Sequence, residues 1–420
     1  MRIELTSGVY LNVIPTTKFK TTRIAVHFLA PTDAMTYAAR TLLTSVLETS
    51  SAAYPTQAAL AAELELMYGA NFGIGVSKDG QVHRVTATLD LVADALAGQP
   101  LLARGCRFLA EVLLHPKRVG DHFDPAVVTR ERHNLMDYLS SLAEDRQLQA
   151  SLAAQALYFA ADADQATPSF GTAEAVAAVT ETDLQAAYQQ LLTLDQIELV
   201  VLGDVQPAAV TELVAQMGFA PRNPHPLSLI TDQPVAATVR TQTQVASVNQ
   251  AKMNLAYHTP IDLYGPNYYP ALVAAELFGG SPLSFLFTNV REKASLAYYA
   301  SSVLDPFRHL MMVQTGIDGT NAAVVQDLIA AQLKKVATGD FSDALLQKIK
   351  DGLKNGRQIA YDSPRFLARQ GLLHALIPAH RMAYADYAAQ VDAVTRAQVQ
   401  AAAEAMTLQA IYLLTDQEAI

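Results

Sequence analysis

The histidines and the single cysteine are the residues that most often build a metal centre or a nucleophile, so their spacing comes first. A hydrolytic zinc site needs three protein ligands and an open position for water, often with two histidines one helical turn apart and a glutamate as base. No two histidines stand three or four positions apart on a predicted helix; they are His27, His83, His115, His122, His133, His225, His258, His309, His374 and His380. We therefore expect hydrogen-bonded or surface histidines, and only a site assembled from sequence-distant residues stays open.

Other catalytic motifs are also missing. Cys106 is the only cysteine, so neither an intramolecular disulfide nor a cysteine metal cluster can form. Its apolar neighbours Phe108 and Leu109 favour a buried structural thiol over a nucleophile. The Gly-Gly-Ser-Pro run at 279–282 is too short for a phosphate loop, and Gly-x-Ser-x-Gly is absent. We expect no cofactor and no metal.

Composition and charge exclude several classes of protein. With 40 acidic and 30 basic residues, the formal charge of −10 argues against a nucleic-acid partner. Arg2 and Glu4 stand where a signal peptide would need an apolar core, and no apolar run is long enough to span a membrane. We expect a soluble, cytoplasmic protein that binds neither nucleic acid nor a membrane. Its 420 residues, 51% of them apolar, predict two or more domains with sizeable cores.

Hydrophobic periodicity gives the elements of the first half. Alternation predicts strands, and longer apolar-polar stretches between turn residues predict helices. The predicted strands are 3–5, 9–14, 22–29, 71–76, 82–89 and 197–202, and the predicted helices are 37–48, 56–67, 101–114 and 125–142. Consecutive strands with helices in blocks indicate an α+β sandwich, in which helices pack on one face of a mainly antiparallel sheet.

The second half repeats this pattern. Four pairs of segments match at offsets that drift from 229 to 212 residues: 28–31 with 257–260, 123–126 with 341–344, 179–180 with 394–395, and 201–204 with 413–416. Small drifts of this kind are typical of loop insertions in a duplicated unit. Four prolines between 221 and 234 disfavour regular structure. We therefore predict two homologous halves, 1–220 and 235–420, joined by a linker at 221–234.

Residues 40–77 carry a family resemblance. The layout, a helix, Tyr-Pro at 54–55, a second helix, a Gly-Ala turn and a strand, resembles the start of the pitrilysin-type (M16, insulinase-like) zinc peptidases. In that family the first helix carries His-x-x-Glu-His. Counting back from 54–55 places the box on Thr41, Thr44 and Ser45, so the two histidines and the base are replaced. The resemblance implies the LuxS/MPP-like metallohydrolase fold, with two α/β halves around a chamber.

The third metal ligand of the family is replaced as well. It is a glutamate on a later helix, and the matching stretch here, Arg-Glu-Arg-His-Asn-Leu-Met-Asp-Tyr at 130–138, puts Tyr138 at that position. Asp137 points about 100° away from its neighbour on a helix. The resemblance therefore implies a metallopeptidase frame without its metal site.

A second family segment is kept. Residues 284–298 resemble the family's Leu-Arg-Glu-Lys-x-x-Leu-Ala-Tyr run. In active relatives the matching Arg and Tyr orient the substrate backbone and stabilise the oxyanion, which implies substrate-binding roles for Arg291 and Tyr298. The alternative is an arginine that caps a helix and a tyrosine that fills a core beside Tyr299.

Peptide capture by strand addition is also implied, with one departure. Active relatives hold an extended peptide along a Gly-Ala-x-x-Asn-Ala segment at the sheet edge. Here the Gly-Ala turn at 69–70 is kept, but Gly73 replaces the asparagine. An extended peptide is a possible ligand, without that side-chain contact.

The resemblance covers nearly the whole chain and is closest to the non-catalytic, YfmF-type bacterial members. It implies a catalytically inactive subunit that partners a metal-competent M16 paralogue carrying His-x-x-Glu-His. It also implies a link to 5-aminopentanol modification of elongation factor P. Two alternatives stay open: an active zinc metalloendopeptidase with an unrecognised site, and a homodimeric peptide-binding scaffold.

Overall fold

Two units make up the fold, and neither is one continuous stretch of the chain. The computed structural model describes residues 2–142, 144–261, 263–378 and 381–416, so His380 lies outside the described residues. Unit 1 comprises Met1–Ser140, Thr167–Ser228 and Tyr361–Arg381, and unit 2 comprises Ser141–Ala166, Leu229–Ala360 and Met382–Ile420. The chain passes from unit 1 to unit 2 at 228–229, inside the proline-rich segment. The segments 141–166 and 361–381 each belong to the unit built mainly by the other half of the sequence.

A mainly antiparallel sheet forms the centre of unit 1, in the order β1-β2-β8-β3-β5-β4, with elements numbered along the chain. Its strands are β1 (Arg2–Thr6), β2 (Val9–Pro15), β3 (Thr21–Pro31), β4 (Asn71–Asp79), β5 (Val82–Val92) and β8 (Gln196–Gly203); β6 (Arg118–Val119) and β7 (His122–Phe123) form a separate ribbon. Only β2 and β8 run parallel among these described strands. Between its exposed ends β3 is buried on both faces, because β5 and β8 flank it and helices cover it.

Helices cover the sheet of unit 1. They are α1 (Ala34–Thr49), α2 (Gln57–Glu65), α3 (Asp94–Ala97), α4 (Leu101–Leu114), α5 (Pro125–Leu142), α8 (Ala173–Ala178), α9 (Glu181–Thr193), α10 (Pro207–Ala215) and α14 (Pro364–Leu376). A glycine lets α4 lie close to the sheet, since a Cβ on Gly105 would come within 2.6 Å of Leu91 Cδ1. Cys106, next to it, is buried, and burial raises the pKa of its thiol to about 12. This confirms the structural thiol.

Unit 2 has the same kind of architecture. Its sheet has the order β11-β12-β10-β13-β9, with β13 and β9 parallel and the other neighbours antiparallel. The strands are β9 (Arg240–Val245), β10 (Ala251–His258), β11 (Ala297–Asp305), β12 (Leu310–Ile317) and β13 (Thr407–Thr415). The α-helices are α6 (Arg146–Tyr158), α7 (Ala163–Ala166), α11 (Tyr268–Ala275), α12 (Ala322–Thr338), α13 (Asp343–Ala360), α15 (Tyr384–Ala393) and α16 (Arg396–Glu404). Two π-helices, Glu276–Gly280 and Leu286–Lys293, and a 3₁₀ turn at Gly319–Asn321 complete the described part.

Each sheet also carries one helix on its second face. In unit 1, Ala368 and Leu372 of α14 pack against Ala25 and Val200. In unit 2, α6 presents alanines and Tyr158 to the second face of the sheet, where the buried cluster is Ala150, Ala154, Tyr158, Phe159, Ala256, Leu310, Met312, Ala410, Tyr412 and Leu414. The sequence prediction of helices on one face is therefore incomplete, because α14 and α6 come from the opposite halves of the sequence.

The structure confirms the predicted fold class and the predicted elements of the first half. Helices α4 and α5 have the predicted bounds, and the strands differ from prediction by a few residues at most. No helix among the described residues is both long and apolar enough to cross a membrane.

Candidate functional site

The first helix of unit 1 carries three of the four substituted positions. Asp33 caps α1 by accepting from the Met35 N–H at 3.0 Å. Thr41 and Thr44 are 6% and 4% exposed, and each hydroxyl donates back to the same helix, to Tyr37 O at 2.9 Å and to Thr41 O at 2.7 Å. Such back-bonding is the usual way for a buried helical threonine to satisfy its hydroxyl. Neither side chain offers an imidazole or carboxylate to a metal.

The remaining two positions do not supply ligands either. Ser45 is half-buried, with Oγ 3.5 Å from Thr41 O. Tyr138 lies on α5 and is 59% exposed, outside the buried stripe of Val127, Glu131, Leu135 and Leu139. Across the described residues, no group of three or more His, Cys, Asp or Glu side chains is placed to hold a metal ion. Hydroxyl and phenol groups are poor ligands for zinc, so these residues do not fit the family's metal.

A half-buried carboxylate, Glu48, lies one turn beyond the substituted box. Glu48 Oε2 accepts the backbone N–H of Ile74 on β4 at 3.2 Å. Burial raises the pKa of Glu48, the bond from Ile74 lowers it, and the negative charge of Glu131 raises it further. In the described part of the chain β4 is an edge strand, paired only with β5. Glu48 therefore occupies a backbone donor of β4 that an added peptide strand would otherwise use.

An ion network fixes α1 against the rest of unit 1. The Arg40 guanidinium donates to both oxygens of Asp195, at 3.3 and 2.6 Å, and its Nε donates to His83 Nδ1 at 3.0 Å. His83 Nε2 must then carry the proton that it donates to Ser169 O at 2.8 Å. Burial and the Arg40 charge lower the pKa of His83 to about 3, while the bond to Ser169 opposes this. His83 is a neutral structural residue, as predicted for the histidines.

Arg291 lies on the π-helix Leu286–Lys293 of unit 2. Its side chain is 40% exposed, with Nε 3.6 Å from Glu292 Oε1 and its guanidinium carbon 4.5 Å from the Phe287 ring centroid. These surface contacts hold the group loosely and leave it accessible. π-helices are rare and frequently occur at functional sites.

Tyr298 lies on β11 of unit 2 and is 70% exposed, so it does not fill a core. The register of β11 with β12 shifts between Ala297 and Tyr299, which makes Tyr298 the extra residue of a β-bulge. Bulges re-aim a side chain. Its neighbour Tyr299 is half-buried, and its hydroxyl donates to Gln147 Oε1. Lys252 Nζ lies over the Tyr299 ring, 5.2 Å from the ring centroid. The bulge thus separates an exposed tyrosine from a packed one.

The structure also contains a cavity, with charged side chains in its wall, that the sequence analysis missed. It lies within unit 1, between the second face of the sheet and α14, and its lining includes Arg23, His27 and Arg84. A signal exists in the sequence, since polar side chains recur at every second position of β5 from Arg84 to Asp90, and Arg23 and His27 lie on one face of β3. The wall formed by α14 comes from a distant part of the sequence, since Arg369 lies 290 residues after its partner Asp79, and no local pattern predicts it.

Comparisons with known proteins agree with this geometry. Residues 178–353 match the family model described as "Peptidase M16 inactive domain". The chain is 30% identical over 420 residues to "Probable inactive metalloprotease YmfF" of Bacillus subtilis (strain 168), covering 98% of this chain and 96% of that protein. The non-catalytic type predicted as YfmF is therefore named YmfF.

Solved structures match over the whole chain. A conserved protein from Enterococcus faecalis V583 has a TM-score of 0.94 and 39% identity, and the match covers 100% of this chain and 99% of that one. A peptidase M16 inactive domain from Pseudomonas fluorescens has a TM-score of 0.80 and 18% identity, with 100% and 98% covered. A protease from Helicobacter pylori has a TM-score of 0.81 and 15% identity, with 99% of each chain covered. At these two lower identities the likeness is one of fold.

Proposed function

The chain belongs to the M16 peptidase family as a catalytically inactive member, and from this premise we propose that it is the non-catalytic subunit of a pair. The partner is a metal-competent M16 paralogue that carries His-x-x-Glu-His and supplies the zinc centre. This chain supplies the Arg291 and Tyr298 segment to a bound peptide. It needs no cofactor of its own.

One observation carries the proposal: the metal positions are converted to structural use while the Arg/Tyr segment is accessible. The hydroxyls of Thr41 and Thr44 are committed to the carbonyls of α1. Arg291 and Tyr298 are 40% and 70% exposed. An oxyanion stabiliser needs an activated water beside it, and in this proposal the paralogue provides that water.

The first experiment asks whether the pair exists. Affinity purification of the tagged chain from its native cell is expected to recover a His-x-x-Glu-His paralogue in about equal amount. Recovery of the tagged chain without such a paralogue contradicts the proposal, and a discrete homodimer with saturable peptide binding instead favours the scaffold alternative.

The second experiment asks what the Arg/Tyr segment does. In the reconstituted pair, Arg291→Ala is expected to lower peptide cleavage by about 10²-fold, the usual cost of losing a charge-stabilising donor. Lys293→Ala on the same π-helix is the matched control, since Lys293 is exposed and its ammonium bonds only Asn289 in the described structure. If both variants cleave the peptide as fast as the wild-type pair, the proposed role of Arg291 is wrong.

Two narrower parts of the proposal rest on the resemblance alone. We place the protein in the cytoplasm and link it to 5-aminopentanol modification of elongation factor P. Deletion of its gene is expected to leave elongation factor P at its unmodified mass, and complementation is expected to restore the modified mass. If elongation factor P keeps its modified mass in the deletion strain, that link is contradicted, and the pairing proposal is unaffected.

A further inference from the structure

The cavity on the second face of the unit 1 sheet has the size and lining of a small-ligand site. Its volume is about 490 Å³, within the usual range for such sites. β3, β4 and β5 form its sheet side, and α14 forms the opposite wall. Ile74, Val76 and Ala368 contribute apolar surface, and the polar groups stand among them. None of the substituted metal positions lines it.

A buried histidine in this lining has a polar atom without a partner. His27 is 5% exposed, and its Nδ1 lies 2.9 Å from Thr86 Oγ1. Its Nε2 is buried and has no hydrogen-bond partner among the described residues. Buried polar atoms are normally satisfied, so an orphan in a cavity wall indicates a missing partner. Burial, followed by the charges of Arg84, Arg369 and Arg23, holds the pKa of His27 well below its usual range.

Three arginines are fixed around that histidine by carboxylates. Arg23 donates to both oxygens of Asp90, at 2.7 and 2.5 Å. Asp79 is shared by Arg84, at 3.3 Å, and Arg369, at 2.6 Å. These pairs hold the guanidinium groups in place, so a ligand would meet a preformed set of donors.

The local charge is positive although the whole chain is acidic. Arg365 and Glu48 complete the charged lining. The described residues that line the cavity or pair with its lining therefore carry an excess of one positive charge. The four guanidinium groups are those of Arg23, Arg84, Arg365 and Arg369, and the three carboxylates are those of Glu48, Asp79 and Asp90. A single carboxylate matches that excess better than a phosphate, which carries −1.5 to −2.

We propose that this cavity binds the carboxylate of a ligand with a short apolar body. The carboxylate lies between Arg84 and His27, where Nε2–H donates to it in the tautomer whose Nδ1 accepts from Thr86. The apolar body lies against Ile74 and Ala368. The carboxylate belongs either to a free small acid or to an acidic side chain of a peptide. This site does not depend on the paired-subunit proposal, since every group named belongs to unit 1.

The test compares charged and neutral probes on the full-length wild-type chain. Calorimetric titration with monomethyl glutarate and with the peptide acetyl-Val-Glu-Val-amide is expected to give saturable binding of at least one. The neutral counterparts, dimethyl glutarate and the Gln peptide, are expected to bind at least about tenfold more weakly. Tighter binding of the half-ester assigns the site to free acids, and tighter binding of the Glu peptide assigns it to peptides. No saturable binding of either charged probe, or equal binding of the neutral ones, overturns the proposal.

Variants then locate the site. Arg84→Gln and His27→Gln are each expected to lower the binding affinity for the charged probe by at least about tenfold. Arg107→Gln is the matched control, because it removes one positive charge from an exposed position of unit 1 outside this cavity. A folded Arg84→Gln chain with wild-type affinity overturns the assignment. The probe comparison on the wild type stands whether or not the variants fold.

Discussion

Tyr298 and Tyr299 are adjacent in sequence but have different surroundings. Tyr298 is exposed in a bulge, whereas Tyr299 is half-buried and bonded to Gln147. We expect Tyr298→Ala to change the free energy of unfolding by less than about 0.5 kcal/mol and Tyr299→Ala to lower it by about 1–3 kcal/mol. Urea unfolding measures both. The reverse order would mean that Tyr298 has a structural role.

At the residue scale, the sequence predicts which residue types occupy the site better than it predicts the surroundings of each side chain. The segment with Arg291 and Tyr298 is recognisable from its sequence motif. The absence of metal ligands at Thr41, Thr44 and Ser45 follows from the residue types alone. The bulge that exposes Tyr298 depends on the register with β12, which no short-range pattern specifies. The orphaned Nε2 of His27 likewise depends on which side chains meet across the sheet.

At the scale of elements, the pair of Arg40 and Asp195 holds α1 in place. Both side chains are almost fully buried, at 1% and 0% exposed. Removing one partner leaves an uncompensated buried charge, so Arg40→Met is expected to cost about 3–5 kcal/mol of the free energy of unfolding. Lys18→Met is the control, since Lys18 pairs with Asp362 at the surface and should cost under about 1 kcal/mol. Similar costs for the two variants would contradict the anchoring role.

Gly8 marks a turn where the backbone and the space both require glycine. Its φ is +74°, and a Cβ would lie 2.5 Å from Arg222 Cγ and 2.9 Å from Arg222 O. Gly69 has a similar φ of +66°, but a Cβ added there would have no atom within 4 Å. We expect Gly69→Ala to cost about 1 kcal/mol, from the backbone alone, and Gly8→Ala to cost at least about 1 kcal/mol more, from the clash. Thermal unfolding separates them, and equal costs would show that Arg222 moves aside freely.

Elements of the first half are predictable because their periodicity is local. The placement of α14 is not, since it packs on a sheet whose strands lie far away in sequence. Gly371 allows that packing, because a Cβ there would come within 2.5 Å of Ile14 Cδ1. The same limit applies to α6, whose alanines meet the second face of the unit 2 sheet. Apolar spacing predicts that a helix has a buried face but not which sheet will cover it.

At the scale of the whole molecule, buried neutral histidines should make stability depend on pH. The pKa of His83 falls to about 3 and that of His27 falls well below its usual 6.5. Between pH 6.5 and 3 the unfolded chain therefore binds more protons, so this stability is complete above pH 6.5 and is lost as the pH falls. The loss for His83 is about 1 kcal/mol per pH unit.

Matched variants isolate this effect from that of the carboxylates. His83→Phe cannot gain a proton on unfolding, so its difference in unfolding free energy from the wild type should shrink from pH 7 to pH 4. Val85→Ala is the control, because Val85 is buried on the same strand as His83 and neither valine nor alanine titrates, so its difference should stay constant. A constant difference for His83→Phe would show that His83 titrates alike in the folded and unfolded chains.

The chain has the fold of the M16 family, and hydroxyl and phenol groups stand at the positions where active members hold zinc. The most direct measurement is zinc content and peptidase activity of the chain purified gently from its native cell and separated from any partner, with a His-x-x-Glu-His paralogue treated identically. We predict less than about 0.1 zinc ion per chain and no cleavage, against about one ion per chain for the paralogue. About one tightly held zinc ion per chain, with cleavage that stops on chelation and returns with zinc, would contradict the account.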